Sequence, residues 1–359
     1  AALVICRKAR SELLAPGASS SSSLAAASRA VLLCSADSAN AWACREALLR
    51  EGSLEAEGEL RFSALVLRTN HKSGEAWAYR RHILTHALAA APPEEKGVLA
   101  RCELALVEEL AKKYDHHYYA WNHWAWLERL CKEVAPLGGA FPRLARVTPS
   151  HYGLFHHRIV RLREHLLHGA QEAGEAVAAS LAEGSGGGCP LALPGPAMDA
   201  FAAERELSAS LVTTFPHLEA PWSFRLQLFA ALLDAAEATA ASGAPDVEAV
   251  RSLLELWRSD LAFASAQEAS AAEQSSEEGG GPIGKLVRRF RAHALQELAS
   301  HLQPWRRCGS PQTAAACSGA AGECLEALEV LEAEAAAAAP AVLRGIREDL
   351  EDLRAEVPG

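Results

Sequence analysis

Apolar residues recur along much of the chain every three or four positions, which is the spacing of one face of an α-helix. Trp77, Leu84 and Leu88 follow this spacing, and the stretch 60–67 carries a second stripe shortly before them. A serine and a glycine at 73–74 separate the two stripes, and such residues are typical of a turn and a helix start. The pattern predicts two helices joined by a short turn.

Five of the predicted helices begin with one pattern: an aromatic residue, two variable residues and then arginine. The aromatic residues are Trp42, Trp77, Trp121, Phe155 and Trp222, and the arginines that follow them are Arg45, Arg80, Arg158 and Arg225. In the third copy Trp124 occupies the arginine position. The aromatic residues are 35, 44, 34 and 67 positions apart, which indicates a period of about 35 residues with two insertions. Self-similarity at this period is typical of stacked helix pairs.

The aromatic residue and the arginine of each copy lie three positions apart, so they share one face of their helix. A buried tryptophan can pack against the neighbouring helix pair. The arginine can stack on the ring or bond the carbonyls and carboxylates of the next helix. No stretch alternates clearly enough for a β-sheet. We therefore predict an all-α fold, an α-α superhelix: a right-handed, crescent-shaped solenoid of helical hairpins similar to tetratricopeptide arrays.

Composition divides this array unevenly, because glycine and proline cluster around 184–196 and a polar, acidic stretch ends in glycines near 281. We expect six segments from this composition. They are a disordered or incomplete N-terminus at 1–29, helical-hairpin repeats at 30–168, a linker insertion at 169–199, the last clear repeat and its following helix at 200–266, a disordered linker at 267–284, and C-terminal capping helices at 285–359 that are broken at Pro340.

Charge and cysteine usage narrow the functional classes. The 359 residues have a formal net charge of -10, which disfavours nucleic acid as a partner because phosphate neutralisation needs a basic face. No apolar run reaches the roughly 18 residues of a membrane span. The nine cysteines are scattered without close pairs in the sequence, which is typical of reduced thiols, so we expect a cytoplasmic protein.

Fourteen histidines raise the question of a metal site. The adjacent pairs 116–117 and 156–157 are poor joint ligands, because neighbouring residues on a helix point about 100° apart. No His-Glu-x-x-His motif occurs, and no pair of cysteines has zinc spacing. We expect this chain to bind no metal.

The flanks of the repeated pattern carry a resemblance to a known family. The segments that carry it are 40–46, 72–81, 118–123 and 150–158. In these segments, and over about 31–235 as a whole, the chain resembles the protein prenyltransferase α subunits. It is most similar to the divergent branch of alpha subunit repeat-containing proteins, which resembles this chain in having phenylalanine at the position of Phe155.

The resemblance implies the α subunit of a heterodimeric protein prenyltransferase, most closely a protein geranylgeranyltransferase. Such an enzyme transfers an isoprenoid from its diphosphate to a C-terminal cysteine thiol of a target protein. The resemblance implies that a separate β subunit, of the Rab type in this branch, holds the catalytic zinc and the isoprenoid pocket. This chain would then bind no cofactor itself.

The resemblance also implies two catalytic candidates that face the diphosphate. In the family, a lysine five residues before a repeat tryptophan serves the diphosphate, and Lys72 has that position before Trp77. A tyrosine three residues before the next repeat tryptophan lies near the same site, and Tyr118 matches it before Trp121. From the residues alone, Lys72 is equally compatible with a solvated lysine, and Tyr118 with an aromatic residue at the edge of the core.

Three positions depart from the family pattern. Gly74 stands where the better-known α subunits have tyrosine, Trp124 replaces the usual arginine, and His117 replaces an asparagine. Two other functions therefore stay open. One is a conventional Rab geranylgeranyltransferase or farnesyltransferase α subunit, and the other is a non-catalytic helical-repeat scaffold for protein–protein interaction.

Overall fold

The computed structural model describes residues 2–14, 20–114, 117–130, 141–182, 195–239, 247–274, 281–334, 346–348 and 350–351. All regular secondary structure in these ranges is helical, and no strand occurs in them. The predicted all-α fold is therefore confirmed.

The helices follow one another along the chain with short connections. They are α1 (Ala2–Leu14), α2 (Ser21–Cys34), α3 (Ala39–Arg50), α4 (Ala56–Thr69), α5 (Gly74–Ala90), α6 (Pro93–Lys113), α7 (Tyr118–Leu130), α8 (Phe141–Val147), α9 (Tyr152–Ala182), α10 (Gly195–Thr214), α11 (Glu219–Thr239), α12 (Val247–Gln274), α13 (Gly281–Cys308) and α14 (Pro311–Glu334). Residues 346–348, 350 and 351 are helical as well.

Helices begin and end where the sequence supplies caps. Ser73 caps α5, because its hydroxyl oxygen accepts a hydrogen bond from the backbone N–H of Ala76 at 3.1 Å. Pro93 lies in the first turn of α6, where its missing N–H removes no helical hydrogen bond. Gly52 has a φ of 75° just after α3, a conformation that glycine adopts without strain.

Consecutive helices pair as hairpins. α2 packs on α3, α4 on α5, α6 on α7, α10 on α11, and α12 on α13. The second helices also lie side by side, since α5 packs on both α3 and α7, and α11 packs on α13. Stacked hairpins of this kind form the predicted α-α superhelix.

The motif aromatic residues form the centre of these contacts. Each of them is at most 4 % exposed: Trp42, Trp77, Trp121, Phe155 and Trp222. Trp42 contacts Tyr79 of the next hairpin with ring centroids 4.5 Å apart. Trp222 likewise contacts Phe290 of α13 at 5.3 Å. These two contacts join neighbouring hairpins, as the sequence predicts.

The chain divides into two compact units, 1–157 and 158–359, and the division falls within α9. The first unit contains the hairpins α2–α3, α4–α5 and α6–α7, with α1 packed on α2. The second contains α10–α11 and α12–α13, with α14 packed on α12 and α13.

The described residues of the N-terminal segment are largely helical, whereas we expected disorder at 1–29. Its described residues form α1 and the first part of α2. The serine run begins α2, because the hydroxyl of Ser20 accepts a hydrogen bond from the backbone N–H of Ser23 at 3.3 Å. Farther along α2, Val31 and Leu32 are at most 3 % exposed. Serines that suggest a linker are here the cap and first turn of a packed helix.

The linker expected at 169–199 is shorter than we predicted. α9 continues to Ala182, and α10 already begins at Gly195. Residues 183–194, with most of the glycines and prolines behind that prediction, lie outside the described part of the chain. The alanine-rich sequence on both sides has high helix propensity, which explains why the helices extend so far.

The linker expected at 267–284 is also largely helical. α12 continues to Gln274, α13 begins at Gly281, and residues 275–280 lie outside the described part. Ala271 is 9 % exposed, so one face of this extension still packs against the protein. Buried alanines of this kind favour helix over the disorder that the polar residues suggest.

The capping helices expected at 285–359 are in part α13 and α14. Leu325, Leu328 and Leu331 form a buried stripe on α14, as their spacing predicts. The break predicted at Pro340 lies outside the described residues. None of the helices in the described ranges combines the length and the apolar content that a membrane span requires.

Candidate functional site

The arginine of the second repeat is held by three helices. From α5, Arg80 donates through Nε and Nη2 to both carboxylate oxygens of Glu103 on α6, at 2.6 and 2.5 Å. Its Nη1 donates to the Leu60 carbonyl at 2.6 Å and to the Ser63 hydroxyl at 2.9 Å, both on α4. Arg80 is 5 % exposed and Glu103 1 %. We call this arrangement an arginine clamp: it joins both helices of one hairpin to the first helix of the next.

Arg45 forms the same clamp one hairpin earlier. Its Nη1 donates to the Ala25 carbonyl at 3.1 Å and to the Ser28 hydroxyl at 3.0 Å on α2. Its Nε and Nη2 donate to the carboxylate of Glu59 on α4 at 2.7 and 2.5 Å. The guanidinium carbon lies 4.3 Å from the centroid of the Phe62 ring. The arginine thus bonds a carboxylate of the next hairpin, as predicted, but the ring on which it stacks is Phe62 and not the motif tryptophan.

Arg225 forms a third clamp in the second unit. Its Nη1 donates to the Arg205 carbonyl at 3.1 Å and to the Ser208 hydroxyl at 2.9 Å on α10. Its Nη2 donates to Asp260 on α12 at 2.6 Å. In all three clamps the serine stands 17 positions and the carbonyl 20 positions before the arginine. The carbonyl therefore belongs to the hairpin of the arginine and not, as we expected, to the next helix.

In two clamps the carboxylate accepts another bond from its own hairpin. Glu59 accepts from the hydroxyl of Tyr79 at 2.7 Å, and the ring Nε2 of His123 lies 2.6 Å from Glu103. Burial, and then Glu59 itself, raises the pKa of the Tyr79 hydroxyl. Burial opposes ionisation of Glu103, but the bonds from His123 and Arg80 outweigh it and lower the pKa of Glu103 to about 2. Glu103 is therefore ionised at neutral pH.

The third repeat replaces the clamp by an apolar contact. Trp124 takes the arginine position and is 2 % exposed. Seventeen positions earlier, Val107 takes the serine position and is fully buried. The tryptophan N–H lies 3.3 Å from the carboxylate of Glu128, one turn along its own helix. The departure at Trp124 is thus matched by a second apolar substitution at Val107.

The fourth repeat differs from the clamps at the serine position. Arg158 donates to the carboxylate of Glu204 on α10 at 2.7 Å. Phe141 occupies the serine position and contacts Phe155, with ring centroids 6.1 Å apart. The side chain of Arg158 is 25 % exposed, which is far more than the 0–6 % of Arg45, Arg80 and Arg225.

Three motif tryptophans fix the turn that precedes their helix. The indole N–H of each donates to a backbone carbonyl six positions earlier, at 2.7 to 2.9 Å. These pairs are Trp42 with Ala36, Trp77 with His71, and Trp222 with Pro216. Trp121 has a different close neighbour: a Cβ atom at Gly153 would lie 2.6 Å from its Cδ1, so only glycine fits there.

The two predicted catalytic candidates lie at the starts of neighbouring second helices. Lys72 is exposed in the turn before α5, and Tyr118, the first residue of α7, is 66 % exposed. α5 packs on α7, and a Cβ atom at Gly74 would lie 3.8 Å from the ring of Tyr119. The fold therefore brings Lys72 and Tyr118 to the same end of two adjacent helices.

The turn that carries Lys72 is bonded to the turn between α2 and α3 of the preceding hairpin. The hydroxyl of Ser73 donates to the carboxylate of Asp37 at 2.7 Å, and the Ala36 carbonyl lies 3.1 Å from the same hydroxyl. Ser73 is 3 % exposed. The backbone beside Lys72 is therefore fixed, while the lysine side chain reaches solvent.

A histidine and tyrosine cluster lies next to this turn. His71 stacks on Tyr114, with ring centroids 3.5 Å apart and planes 11° apart. His117 caps α7, since its Nδ1 accepts a hydrogen bond from the backbone N–H of Ala120 at 3.1 Å. Burial, and then the neighbouring His71, lowers the pKa of His117 to about 4. An asparagine, the family residue at this position, can accept the same capping bond.

Replacing His117 by asparagine is expected to make the free energy of unfolding less dependent on pH in the acidic range. His117 takes up a proton near pH 6.5 when the chain is unfolded, but its pKa in the folded chain is only about 4. Stability therefore falls as the pH drops between these values, by on the order of 1–3 kcal/mol. Urea unfolding at several pH values measures this loss, with His86→Asn, an exposed histidine, as the matched control. Equal pH slopes for H117N and the native chain would contradict the expectation.

The acids and serines of the clamps are functional positions that the sequence analysis missed. They are Ser28, Ser63, Ser208, Glu59, Glu103 and Asp260. The sequence marks only Glu59, Ser63 and Ser208 among them, because an acid, three residues, a serine, sixteen residues and then arginine occur at both 59–80 and 204–225. Among the described residues, no group of three or more histidines, cysteines and acids is arranged to hold a metal ion.

Stacked hairpins with an aromatic residue and an arginine at each second helix define a helical-hairpin repeat protein of the α-α superhelix class. The family model for the protein prenyltransferase alpha subunit repeat matches residues 56–87 and 100–130. These ranges contain the hairpins α4–α5 and α6–α7 almost completely, with Lys72 in the first and Tyr118 in the second. Residues 56–87 and 100–130 thus carry the protein prenyltransferase alpha subunit repeat.

Two curated relatives agree with this family. The chain is similar to protein prenyltransferase alpha subunit repeat-containing protein 1 of Danio rerio, with 31 % identity over 112 residues, 27 % of this chain and 26 % of the relative. Its similarity to the Homo sapiens protein of the same name is 30 % over 117 residues, 28 % of this chain and 29 % of the relative. The chain therefore spans little more than a quarter of the length of the curated relatives it matches.

Proposed function

We propose that this chain is the α subunit of a heterodimeric, cytoplasmic protein prenyltransferase and acts together with a separate β chain. The observation that carries the proposal is the placement of Lys72 and Tyr118. Both lie in segments that match the family, at the same end of two adjacent helices, and both are exposed. An exposed lysine beside two helix N-termini suits an anionic group such as a diphosphate.

The proposed reaction is displacement of diphosphate by a thiolate. The sulfur of a C-terminal cysteine attacks the first carbon of the isoprenoid, the carbon–oxygen bond breaks, and the electron pair leaves with the diphosphate. The Lys72 ammonium would neutralise this developing charge, and the Tyr118 hydroxyl would donate a hydrogen bond to it. A zinc ion on the β chain would stabilise the thiolate form of the cysteine.

Family resemblance favours geranylgeranyl diphosphate as the donor and a Rab-type β chain as the partner. The test is co-expression of this chain with each candidate β chain, purification through a tag on this chain, and incubation with labelled geranylgeranyl or farnesyl diphosphate. The acceptor is a protein that ends in cysteine. A stoichiometric complex that transfers label supports the proposal, and the isolated chain is expected to be inactive.

In an active complex, replacing Lys72 by alanine is expected to lower the rate of transfer by about tenfold to a hundredfold, because one cationic contact to the leaving group is lost. Complex formation should be unchanged, since the Lys72 side chain is exposed. Single-turnover rates of the purified complex measure the effect, and Lys285→Ala, an exposed lysine on α13, is the matched control. An unchanged rate in K72A would remove Lys72 from the mechanism.

A scaffold without an enzymatic partner is the alternative function. The arginine clamps and the buried motif aromatics favour neither function, because they hold the hairpins together in both cases. Failure to retain any β chain, with circular dichroism showing a folded helical protein, would support the scaffold and overturn the proposal.

A further inference from the structure

Two arginines on α5 and α7 have no carboxylate partner among the described residues, unlike the arginines of the clamps. Arg81 lies in the middle of α5 and is partly buried, and Arg129 is exposed near the end of α7. α5 contains a single acid, Glu75 in its first turn. α7 also contains a single acid, Glu128, which lies 3.1 Å from the ring of His157. The two arginines therefore form a positive patch that these two helices do not neutralise.

The surroundings of Arg81 combine an aromatic ring with a second positive charge. The guanidinium carbon lies 6.0 Å from the ring centroid of Trp126, which forms one wall. The Nε–H of Arg81 is buried and donates to no acceptor in the described structure. Burial, and then the charge of Arg129, lowers the pKa of Arg81. Two nearby like charges repel each other, and a carboxylate bound beside the guanidinium groups would relieve this repulsion.

Arg81, Trp126 and Arg129 lie on the same two helices at whose starts the catalytic candidates stand. α5 and α7 pack side by side, and Gly74 faces Tyr119 at the start of both helices. Arg81 is seven residues farther along α5, which places it about 10 Å from Gly74 along the helix axis. Leu130, next to Arg129 in the sequence, is 40 % exposed and adds an apolar contact at the far end.

We propose that Arg81, Arg129 and Trp126 form a docking site for an acidic side chain, aspartate or glutamate, of a partner protein. Charge complementarity identifies the occupant. The chain itself shows the chemistry, since each clamp arginine takes a carboxylate from a neighbouring hairpin, and a guanidinium fork fits a carboxylate with two parallel bonds. The aromatic wall and the exposed leucine suit a protein surface around that acid. The proposal does not require the transferase function.

The test uses the full chain labelled with 5-fluorotryptophan and observed by fluorine NMR, with Trp126→Phe to assign the signal of Trp126. The probe is a glutamate-rich hexapeptide with acetylated and amidated ends, so that its only carboxylates are side chains. We expect a saturable shift of the Trp126 signal that weakens when the salt concentration rises from about 50 to about 300 mM. A matched glutamine-rich peptide should produce no shift.

Variants locate the binding. Arg81→Gln and Arg129→Gln are each expected to weaken peptide binding by at least about fivefold, because each removes one charge and its donors. Arg101→Gln, an exposed arginine on α6, should bind like the native chain. Arg129 is exposed, so R129Q should fold normally. It therefore tests the docking site even if R81Q folds poorly.

Three outcomes would overturn the docking site. The first is a Trp126 signal that the acidic peptide does not move, and the second is unchanged affinity in R129Q. The third is a shift produced by inorganic diphosphate but not by the peptide, which would identify a small-anion site instead. The experiment needs only this chain, so failure of the proposed transferase function would leave its result intact.

Discussion

Replacing Arg80 by methionine is expected to destabilise the first unit by about 3–5 kcal/mol, because it leaves the Glu103 carboxylate buried with its main cationic partner removed. Both side chains are at most 6 % exposed, and four hydrogen bonds of the guanidinium are lost together. Urea unfolding followed by circular dichroism measures the loss. Hydrogen exchange should show the largest loss of protection in α4, α5 and α6.

An exposed ion pair nearby supplies the control for this prediction. Arg68 and Glu109 also join the first helices of two hairpins, but both are 44 % exposed, so Arg68→Met should change the stability by less than about 1 kcal/mol. Combining Arg80→Met with Glu103→Leu should recover part of the loss, since no buried charge then remains. If R80M were no more destabilising than R68M, the clamp would not contribute to the stability of the fold.

Replacing Trp77 by alanine is expected to cost about 3–5 kcal/mol, as is typical for removing a large buried aromatic side chain. Trp77 is 1 % exposed, and its ring contacts that of His123 in the next hairpin at 4.7 Å. The loss should therefore uncouple the hairpins α4–α5 and α6–α7. The midpoint and the slope of urea unfolding measure it, and the slope should fall where the hairpins begin to unfold separately.

Trp77→Phe separates the packing of the ring from its hydrogen bond. Phenylalanine keeps most of the buried surface but loses the bond from the indole N–H to the His71 carbonyl, so we expect a loss of about 1–2 kcal/mol. Phe155 shows that the chain itself tolerates this exchange at the corresponding position of another repeat. A W77A variant as stable as W77F would show that the ring does not couple the repeats.

The periodic positions could be predicted from the sequence because their cause is local. An aromatic residue and an arginine three positions apart must share a helix face, and their recurrence can be counted without knowing any contact. Burial of Trp42, Trp77 and Trp222 follows directly from this pattern. The N-terminal serines led to the opposite error, since a run of serine fits both a linker and a helix cap until the packing of Val31 and Leu32 is known.

The polar partners of the clamps could not be recognised in the same way. Glu59 stands in the first turn of α4 and Ser63 and Glu103 stand in the middle of helices, and such residues usually face solvent at these positions. Only the stacking of hairpins shows that they meet a buried arginine, because the bonded residues are 14 to 23 positions apart in the chain. Trp124 replaces the clamp arginine and Val107 replaces the clamp serine. The sequence alone does not show that these two substitutions belong together, since the two positions are 17 residues apart.

The candidate site was only half accessible to sequence reasoning. Family resemblance supplied Lys72 and Tyr118, and the structure adds that both are exposed at the same end of α5 and α7. Arg81 and Arg129 had no signal in the sequence, because a lack of carboxylate partners becomes visible only in three dimensions. Surface residues that await a partner protein carry no periodic pattern.

The clamp geometry also determines where the chain can accept inserted residues. From serine to arginine the count is 17 in every complete clamp, whereas from an arginine to the acid of the next hairpin it is 14, 23, 46 or 35. One residue added within a helix of the hairpin would turn the arginine by about 100° away from its serine. Growth of the chain is therefore confined to the junctions between hairpins, and a fluorescent domain or an affinity tag can be accommodated there without disturbing the buried ion pairs.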